Sequence, residues 1–182
     1  MTRLTVIAGP TAVGKGTVVA HILRTHPEIK LSVSATTRSP RPGEQDGIDY
    51  HFWTADQFAK SVEAGEMLEH ATVHGSNSYG TPRALVEASL QAGQPLILEI
   101  DIQGARQVKK VMPEANLIFI APPSWEELVR RLQSRGTEGS EEQARRLETA
   151  EMELAAQTEF DHIVINDEVA RCAEEVVNLM NS

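Results

Sequence analysis

The nine residues GPTAVGKGT, from Gly9 to Thr17, decide the fold of this 182-residue chain. They match the pattern G-x-x-x-x-G-K, in which backbone N–H groups wrap a polyphosphate and the lysine reaches its outer oxygens. The apolar run from Leu4 to Ala8 before them is typical of a buried strand, and apolar residues recur at helical spacing up to Thr25. Because the positive end of a helix attracts anions, this order of strand, loop and helix predicts a phosphate site.

Strands alternate with helices in the rest of the chain. Three apolar runs predict further strands: Leu96 to Asp101, Asn116 to Pro123 and His162 to Asn166. Helix starts are indicated at Thr54 with Gln57, Thr81 with Pro82, Ser124 with Glu127, Ser140 with Gln143, and Glu168, where a last helix runs to Met180. This alternation predicts an α/β fold with a mainly parallel sheet, which binds ligands at the carboxyl ends of its strands.

Two irregular regions that carry arginines lie between the core elements, at 34–81 and 130–146. The first holds a loop rich in proline and glycine from Ser34 to Tyr50, and an extended segment from Met67 to Val73 that runs into a polar turn. We expect both regions to act as mobile flaps.

The composition of the chain argues against several classes of partner and location. The length indicates one domain, and 26 acidic against 17 basic residues give a net charge of −9, which argues against nucleic acid or a membrane as partner. The single cysteine, Cys172, fits a reducing compartment, and no apolar run is long enough for a signal peptide or a membrane span. A cytoplasmic protein is expected, and whether it forms a homo-oligomer is left open.

The glycine loop departs from the general pattern in one place. Gly16 follows Lys15, where the pattern has Ser or Thr for magnesium, so Mg²⁺ is expected to rest on nucleotide phosphates and water. A signalling GTPase is disfavoured because no lysine follows an asparagine, as base reading by Asn-Lys-x-Asp requires.

A second anion site is indicated by arginine, which supplies 12 of the 17 basic residues. Arg38 and Arg41 are three apart in the stretch SATTRSPRPGE and could grip one phosphate from two directions. In this stretch and in the glycine loop, the chain resembles the guanylate kinase family, P-loop enzymes that move the γ-phosphoryl group of ATP onto GMP. The resemblance covers nearly the whole chain, in the ordered stretches GPTAVGKGT, SATTRSPRPGE, GIDYHFW, EMLEHA, YGT, LEIDIQGARQV, RLQSRGTE, RRL and IVIND.

The resemblance implies a P-loop three-layer α/β fold with a mainly parallel central sheet, an inserted GMP-binding region and a helical lid. Within one domain, the core is expected at about 1–33, 82–128 and 156–182, the GMP-binding region at about 34–81 and the lid at about 129–155.

The resemblance also implies roles for individual residues, with ATP as co-substrate and Mg²⁺ as cofactor. ATP would be bound by Gly9, Pro10, Thr11, Ala12, Val13, Gly14, Lys15, Gly16 and Thr17, with Asn166 beside adenine. The catalytic charges would be Lys15, Arg131, Arg135 and Arg146. The GMP phosphate would be held by Arg38, Arg41, Tyr50 and Tyr79, and guanine would be read by Ser34, Glu69, Thr81 and Asp101.

Chemistry supports the assignment of Glu69. Guanine presents two adjacent donors, N1–H and the exocyclic amine, and one ionised carboxylate can accept both, whereas adenine has no hydrogen on N1.

Glu99 and Asp101 are two apart on a predicted strand, so their side chains should point to the same side. Their individual roles are left open, although the family pattern places Glu99 nearer the magnesium, through water.

The chain departs from the family pattern in two places before Tyr79. The spacing from Glu69 to Tyr79 is one residue longer than in many relatives, and Ser78 stands where an aromatic residue is common, so a rebuilt turn is expected.

Two alternative functions are a guanylate-kinase-like module that binds proteins, which usually lacks an intact phosphate loop, and a P-loop kinase for another small acceptor.

Overall fold

The structure is a computed structural model that describes residues 3–73, 77–134 and 140–182. The strands within these ranges are β1 Leu4–Ala8, β2 Lys30–Leu31, β3 Ala35–Thr36, β4 His51–Phe52, β5 Met67–Val73, β6 Asn77–Pro82, β7 Leu96–Glu99, β8 Asn116–Ala121 and β9 His162–Ile165. The helices are α1 Lys15–Thr25, α2 Ala55–Glu63, α3 Arg83–Gln91, α4 Ile102–Val111, α5 Trp125–Ser134, α6 Ser140–Ala155 and α7 Val169–Met180, with a 3₁₀ turn at Ala156–Glu159. No helix in these ranges is both long and apolar enough to cross a membrane.

The central sheet has five strands in the order β2-β7-β1-β8-β9, and every neighbouring pair is parallel. It is apolar on both faces because alternate side chains of β1 enter two different cores. Ile7 packs with Ile22 of α1 and Val176 of α7, whereas Val6 packs with Val108 of α4 on the opposite face. The predicted α/β fold with a mainly parallel sheet between helices is confirmed.

A second sheet stands beside this core, with the strand order β4-β3-β6-β5. Strands β5 and β6 form an antiparallel hairpin, β3 pairs antiparallel to β6, and β4 pairs parallel to β3. Helix α2 covers the sheet through Phe58, which is buried with Ala35 and Met67. The predicted capping box is confirmed: the Thr54 hydroxyl accepts from the Gln57 N–H at 3.2 Å, and the Gln57 amide oxygen accepts from the Thr54 N–H at 2.8 Å.

Several local expectations differ from the structure. The strand expected from Leu96 to Asp101 ends at Glu99, because the Asp101 carboxylate accepts from the Gly104 N–H at 2.7 Å and caps α4. Helix α4 was not predicted from the sequence. The region expected to be a loop contains β3, whose partner strand lies far away in sequence: Ala35 pairs with Gly80. Strand β6 occupies the expected polar turn, and residues 74–76 within that turn lie outside the described residues.

Candidate active site

The glycine loop joins β1 to α1 at the carboxyl edge of the central sheet, and it is shaped by residues that need unusual backbone angles. Gly14 has φ of +99°, and a Cβ there would lie 2.7 Å from the Asn166 side-chain nitrogen. A Cβ on Gly9 would collide with the backbone carbonyl of Ile120. Ala12 adopts φ of +65°, which costs a non-glycine residue of order 1 kcal/mol. The close approach of Ile120 and Asn166 therefore requires glycine at positions 9 and 14 of the loop.

Lys15 lies at the end of this loop, at the first position of α1. Its ammonium group donates to the Gly9 carbonyl at 2.6 Å and reaches the Pro10 carbonyl at 3.3 Å. The positive charge is thus folded over the loop, where it lies within reach of an anion on the N-terminus of α1.

Arg131 and Asn166 hold the outer side of the loop through one backbone atom. The Val13 carbonyl accepts from Arg131 Nη1 at 2.9 Å and from the buried Asn166 amide at 2.8 Å. Arg131 also donates to the Asn166 carbonyl at 3.1 Å and to Glu127 at 2.8 Å. Hydrogen bonds from Arg130 and Arg131 lower the pKa of Glu127 to about 2. These groups adjoin a recess of about 250 Å³ lined by Ala12, Gly14, Thr17, Arg131, Ser134, Asn166, Asp167 and Val169.

A second recess, of about 450 Å³, opens on the other side of the loop toward the second sheet. It is lined by Gly9, Thr11, Lys15, Leu31, Ser32, Ser34, Asp49, Tyr50, Glu99, Ile100, Asp101 and Glu153. Both recesses are lined in part by the glycine loop: the second by Gly9, Thr11 and Lys15, and the first by Ala12, Gly14 and Thr17. A larger groove of about 940 Å³, lined by Arg3, Met112 and Met180 among others, lies at the amino ends of the strands and contains none of the expected site residues.

Glu69, on β5, is only 7% exposed. Its carboxylate oxygen Oε1 accepts a hydrogen bond from the Thr81 hydroxyl of β6 at 2.6 Å. The absence of a side chain at Gly104 leaves room for the other oxygen, Oε2, because a Cβ at Gly104 would lie 3.1 Å from Oε2 and 3.3 Å from Asp101 Oδ1. Burial raises the pKa of Glu69, and the nearby Asp101 carboxylate raises it further, against the Thr81 hydrogen bond. A buried carboxylate of this kind is suited to a ligand that supplies donors.

Arg38, two residues after the end of β3, lies among aromatic rings. Its guanidinium carbon is 5.5 Å from the centre of the Tyr50 ring, and the rings of Tyr50 and Tyr79 are 6.0 Å apart. Glu44 accepts from both Nη atoms of Arg38 at 2.9 Å, and this pairing raises the pKa of Arg38, with a smaller contribution from Tyr79. The Arg38 guanidinium is paired with Glu44 and its side chain is largely shielded from water, and a guanidinium of this kind suits a phosphate.

Glu99 ends β7 beside the loop, where a Cβ on Gly16 would lie 3.6 Å from its carboxylate. Burial raises the pKa of Glu99, and the Lys15 charge opposes that rise. Within the described residues no three acidic, histidine or cysteine side chains form a metal cluster.

The two recesses are lined by only part of the expected set. Of the residues expected to bind GMP, Ser34, Tyr50 and Asp101 line the second recess. The others line neither recess: Arg38, Arg41, Glu69, Tyr79 and Thr81. Glu99 and Asp101 line the same recess, as expected, although only Glu99 belongs to the strand. Arg131 lies behind the loop, and Arg146 lies on α6. Arg135 lies outside the described residues.

Sequence reasoning missed four residues that shape the site. Glu44 pairs with Arg38, Gly104 adjoins two carboxylates, and the Glu153 carboxylate of α6 accepts from the Thr11 N–H of the loop at 2.9 Å. Gln107 of α4 bonds both the N–H and the carbonyl of His70 on β5, at 3.1 and 3.0 Å. Of these four residues, only Glu44 could have been identified from the sequence, because it follows Arg41 by three residues in the same loop.

A parallel sheet with a glycine loop and lysine after its first strand is the arrangement of phosphate-binding α/β proteins. The family described as Guanylate kinase matches residues 1–182. A guanylate kinase of Leifsonia xyli subsp. xyli (strain CTCB07) is 63% identical over 178 residues, which cover 98% of this chain and 70% of the relative. One of Cutibacterium acnes (strain DSM 16379 / KPA171202) is 57% identical over 176 residues, with coverages of 97% and 88%.

A solved structure of this family is also similar. The crystal structure of guanylate kinase from Anaplasma phagocytophilum superposes with a TM-score of 0.74 at 33% identity, covering 99% of this chain and 84% of that one. The chain belongs to the guanylate kinase family.

Proposed function

We propose that the protein transfers the γ-phosphoryl group of ATP to GMP and releases ADP and GDP. Family membership supports this reaction, and one observation carries the choice of acceptor. The buried carboxylate of Glu69 lies in the second sheet near Asp101, which lines the second recess, and a purine with two adjacent donors would satisfy it. An adenine ring would leave that carboxylate poorly paired.

ATP would lie along the glycine loop. The recess beside Asn166 would take adenine, and backbone N–H groups of the glycine loop, in which Pro10 has none, would take the phosphates. Lys15 would exchange its backbone acceptors, the Gly9 and Pro10 carbonyls, for phosphate oxygens. This exchange replaces neutral acceptors with charged ones, which strengthens the hydrogen bonds of the ammonium group.

GMP would lie against the second sheet. Ser34, Glu69, Thr81 and Asp101 would read guanine, and Arg38, Arg41, Tyr50 and Tyr79 would hold the phosphate. Thr81 donates to one Glu69 oxygen, which aligns the carboxylate, and Asp101 is fixed by its cap on α4. The acceptor phosphate would thus approach the loop from the side opposite the ATP chain.

Mg²⁺ is proposed as the cofactor, and the residues present fit it. The Glu99 carboxylate lies beside the loop without filling the space next to Gly16, and magnesium usually keeps several waters while it binds one or two carboxylates and substrate phosphates. When bound, the ion would supply positive charge to the phosphates. Glu99 would hold it through water.

Catalysis then depends on position and charge. A phosphate oxygen of GMP attacks the γ-phosphorus in line, the bond to the β-phosphate oxygen breaks, and ADP leaves. Lys15, Arg131, Arg135 and Arg146 would neutralise the charge that spreads over the transferred group. The region 34–81 and the lid 129–155 would close over both nucleotides and exclude water, which would otherwise accept the phosphoryl group. We also place the protein in the cytoplasm, where both nucleotides are present.

A coupled assay of ADP formation tests the function. With ATP and Mg²⁺ present, GMP, AMP, CMP and UMP are offered separately as acceptors. Turnover with GMP alone is expected. Comparable turnover with AMP would overturn the proposed reading of guanine, and no turnover with any acceptor would favour a protein-binding module or another small substrate.

A further inference from the structure

Glu44 holds two arginines at once. Its carboxylate accepts from Nη1 and Nη2 of Arg38, both at 2.9 Å, and from the backbone N–H of Arg41 at 2.7 Å. The side chains of Arg38 and Glu44 are only 14% and 19% exposed, so water competes weakly with this pair. The carboxylate is therefore a fixed centre of the loop and not a solvated surface charge.

The turn that carries Glu44 is closed on itself. The Glu44 N–H donates to the Arg41 carbonyl at 3.0 Å, while the Glu44 carboxylate accepts from the Arg41 N–H. Gly43 between them has φ of +93°, which lets the chain turn back. Arg41 and Arg38 are thus fixed relative to each other through one side chain.

The pairing also decides which edge of Arg38 is left for a ligand. The Nη1 group donates to Glu44 and, at 2.8 Å, to the Ser39 carbonyl, whereas Nη2 gives Glu44 one of its two hydrogens. The Nε–H and the second Nη2 hydrogen lie on one edge of the planar guanidinium, and that edge matches two oxygens of a phosphate.

We propose that Glu44 is a positioning residue for the acceptor phosphate: it aims the Nε edge of Arg38 and fixes the backbone of Arg41, and it does not touch the nucleotide. The inference rests on the proposed function, in which Arg38 and Arg41 hold the phosphate of GMP. Its energetic origin is preorganisation, because a flexible arginine must otherwise lose rotamer freedom when it binds.

Long-range electrostatics predicts the opposite sign. Glu44 is an anion close to where a phosphate dianion would bind, so removal of its charge alone should tighten GMP binding. Positioning predicts that Glu44→Gln weakens it, since the amide offers one acceptor oxygen in place of two and cannot hold both Nη groups. The sign of the change therefore separates the two effects.

The test compares Glu44→Gln with the unaltered protein and with Glu63→Gln, which removes an exposed charge from α2. We expect the KM for GMP to rise about tenfold in Glu44→Gln, with the KM for ATP changed less than about twofold. Calorimetric binding of guanosine, which lacks the phosphate, should be unchanged and serves as the check that the guanine site is folded.

A double-mutant cycle with Arg38→Gln shows whether Glu44 acts through Arg38. In the Arg38→Gln background the effect of Glu44→Gln should shrink to less than about threefold. Tighter or unchanged GMP binding in Glu44→Gln, an equal loss for guanosine, or an undiminished effect without Arg38 would each overturn the inference. If Arg38→Gln alone leaves GMP binding intact, the proposed phosphate site fails, which is a separate result.

Discussion

Replacement of Glu69 by glutamine changes the proposed guanine reader by a single group. The two side chains have nearly the same shape, so the buried site between β5 and β6 keeps its packing. Ionised Glu69 would accept both N1–H and the exocyclic amine of guanine. Glutamine has one acceptor oxygen, and its amide nitrogen would face either Thr81, which now donates to Glu69 at 2.6 Å, or a donor of the base.

The magnitude follows from the number and kind of bonds lost. A hydrogen bond to a charged group contributes about 1.5–3 kcal/mol, and the substitution removes one such bond and the charge from the other. A loss near 3 kcal/mol corresponds to a fall of about 150-fold in kcat/KM for GMP. The KM for ATP should be unaffected, because Glu69 does not line the recess beside Asn166.

Stability should change in the opposite direction. Burial raises the pKa of Glu69 above its value in the unfolded chain, so keeping it ionised at neutral pH costs folding free energy. Glutamine removes that cost, and the melting temperature of Glu69→Gln should equal or exceed that of the unaltered protein. A residue kept for structure would show the reverse.

The assay measures kcat/KM for GMP and for IMP, whose base lacks the exocyclic amine, together with melting curves. The unaltered protein should prefer GMP over IMP by at least about tenfold, and Glu69→Gln should lose most of that preference. Glu63→Gln, on an exposed face of α2, is the matched control. Near-normal GMP turnover in Glu69→Gln, or a lower melting temperature with an unchanged GMP to IMP ratio, would refute the reasoning.

Three further outcomes are expected. Glu69 must be ionised to accept hydrogen bonds from guanine, and its pKa is raised, so kcat/KM for GMP should fall as the pH is lowered through that pKa. Glu69→Gln should lack this step in its pH profile, and a profile identical to that of the unaltered protein would contradict the assignment. Gly104→Ala would place a Cβ 3.1 Å from Glu69 Oε2 and should reduce kcat/KM for GMP about tenfold with little change in melting temperature, and unaltered kinetics would count against the tight contact. Asn166→Ala removes a buried hydrogen bond to Val13 and should cost about 1–2 kcal/mol in chemical denaturation and raise the KM for ATP; a rise in the KM for GMP alone would be inconsistent.

The sequence predicted the parts of the fold that local patterns encode. The glycine loop, the buried runs of β1, β7 and β8, and the capping box at Thr54 are all local signals, and each is present. The two-residue strands were missed because pairing with distant residues stabilises them, as Ala35 does with Gly80. Helix α4 was missed because its apolar positions follow β7 with almost no break, and Gly104 resembles a turn residue.

Only the part of the site that belongs to local sequence motifs could be predicted. Residues that recur in recognisable motifs, such as Arg38 and Glu69, were named from the sequence. The groups that orient them were not, because Gln107 and Glu153 reach β5 and the loop from helices far away in the chain. Spacing along the chain carries no signal for such contacts.

A crystal structure of the protein with bound GMP tests the central assignment most directly. We predict that N1 and the exocyclic amine of guanine lie within hydrogen-bond distance of the Glu69 carboxylate, with the phosphate against Arg38, Arg41, Tyr50 and Tyr79. GMP bound along the glycine loop, or with its base away from Glu69, would contradict the account.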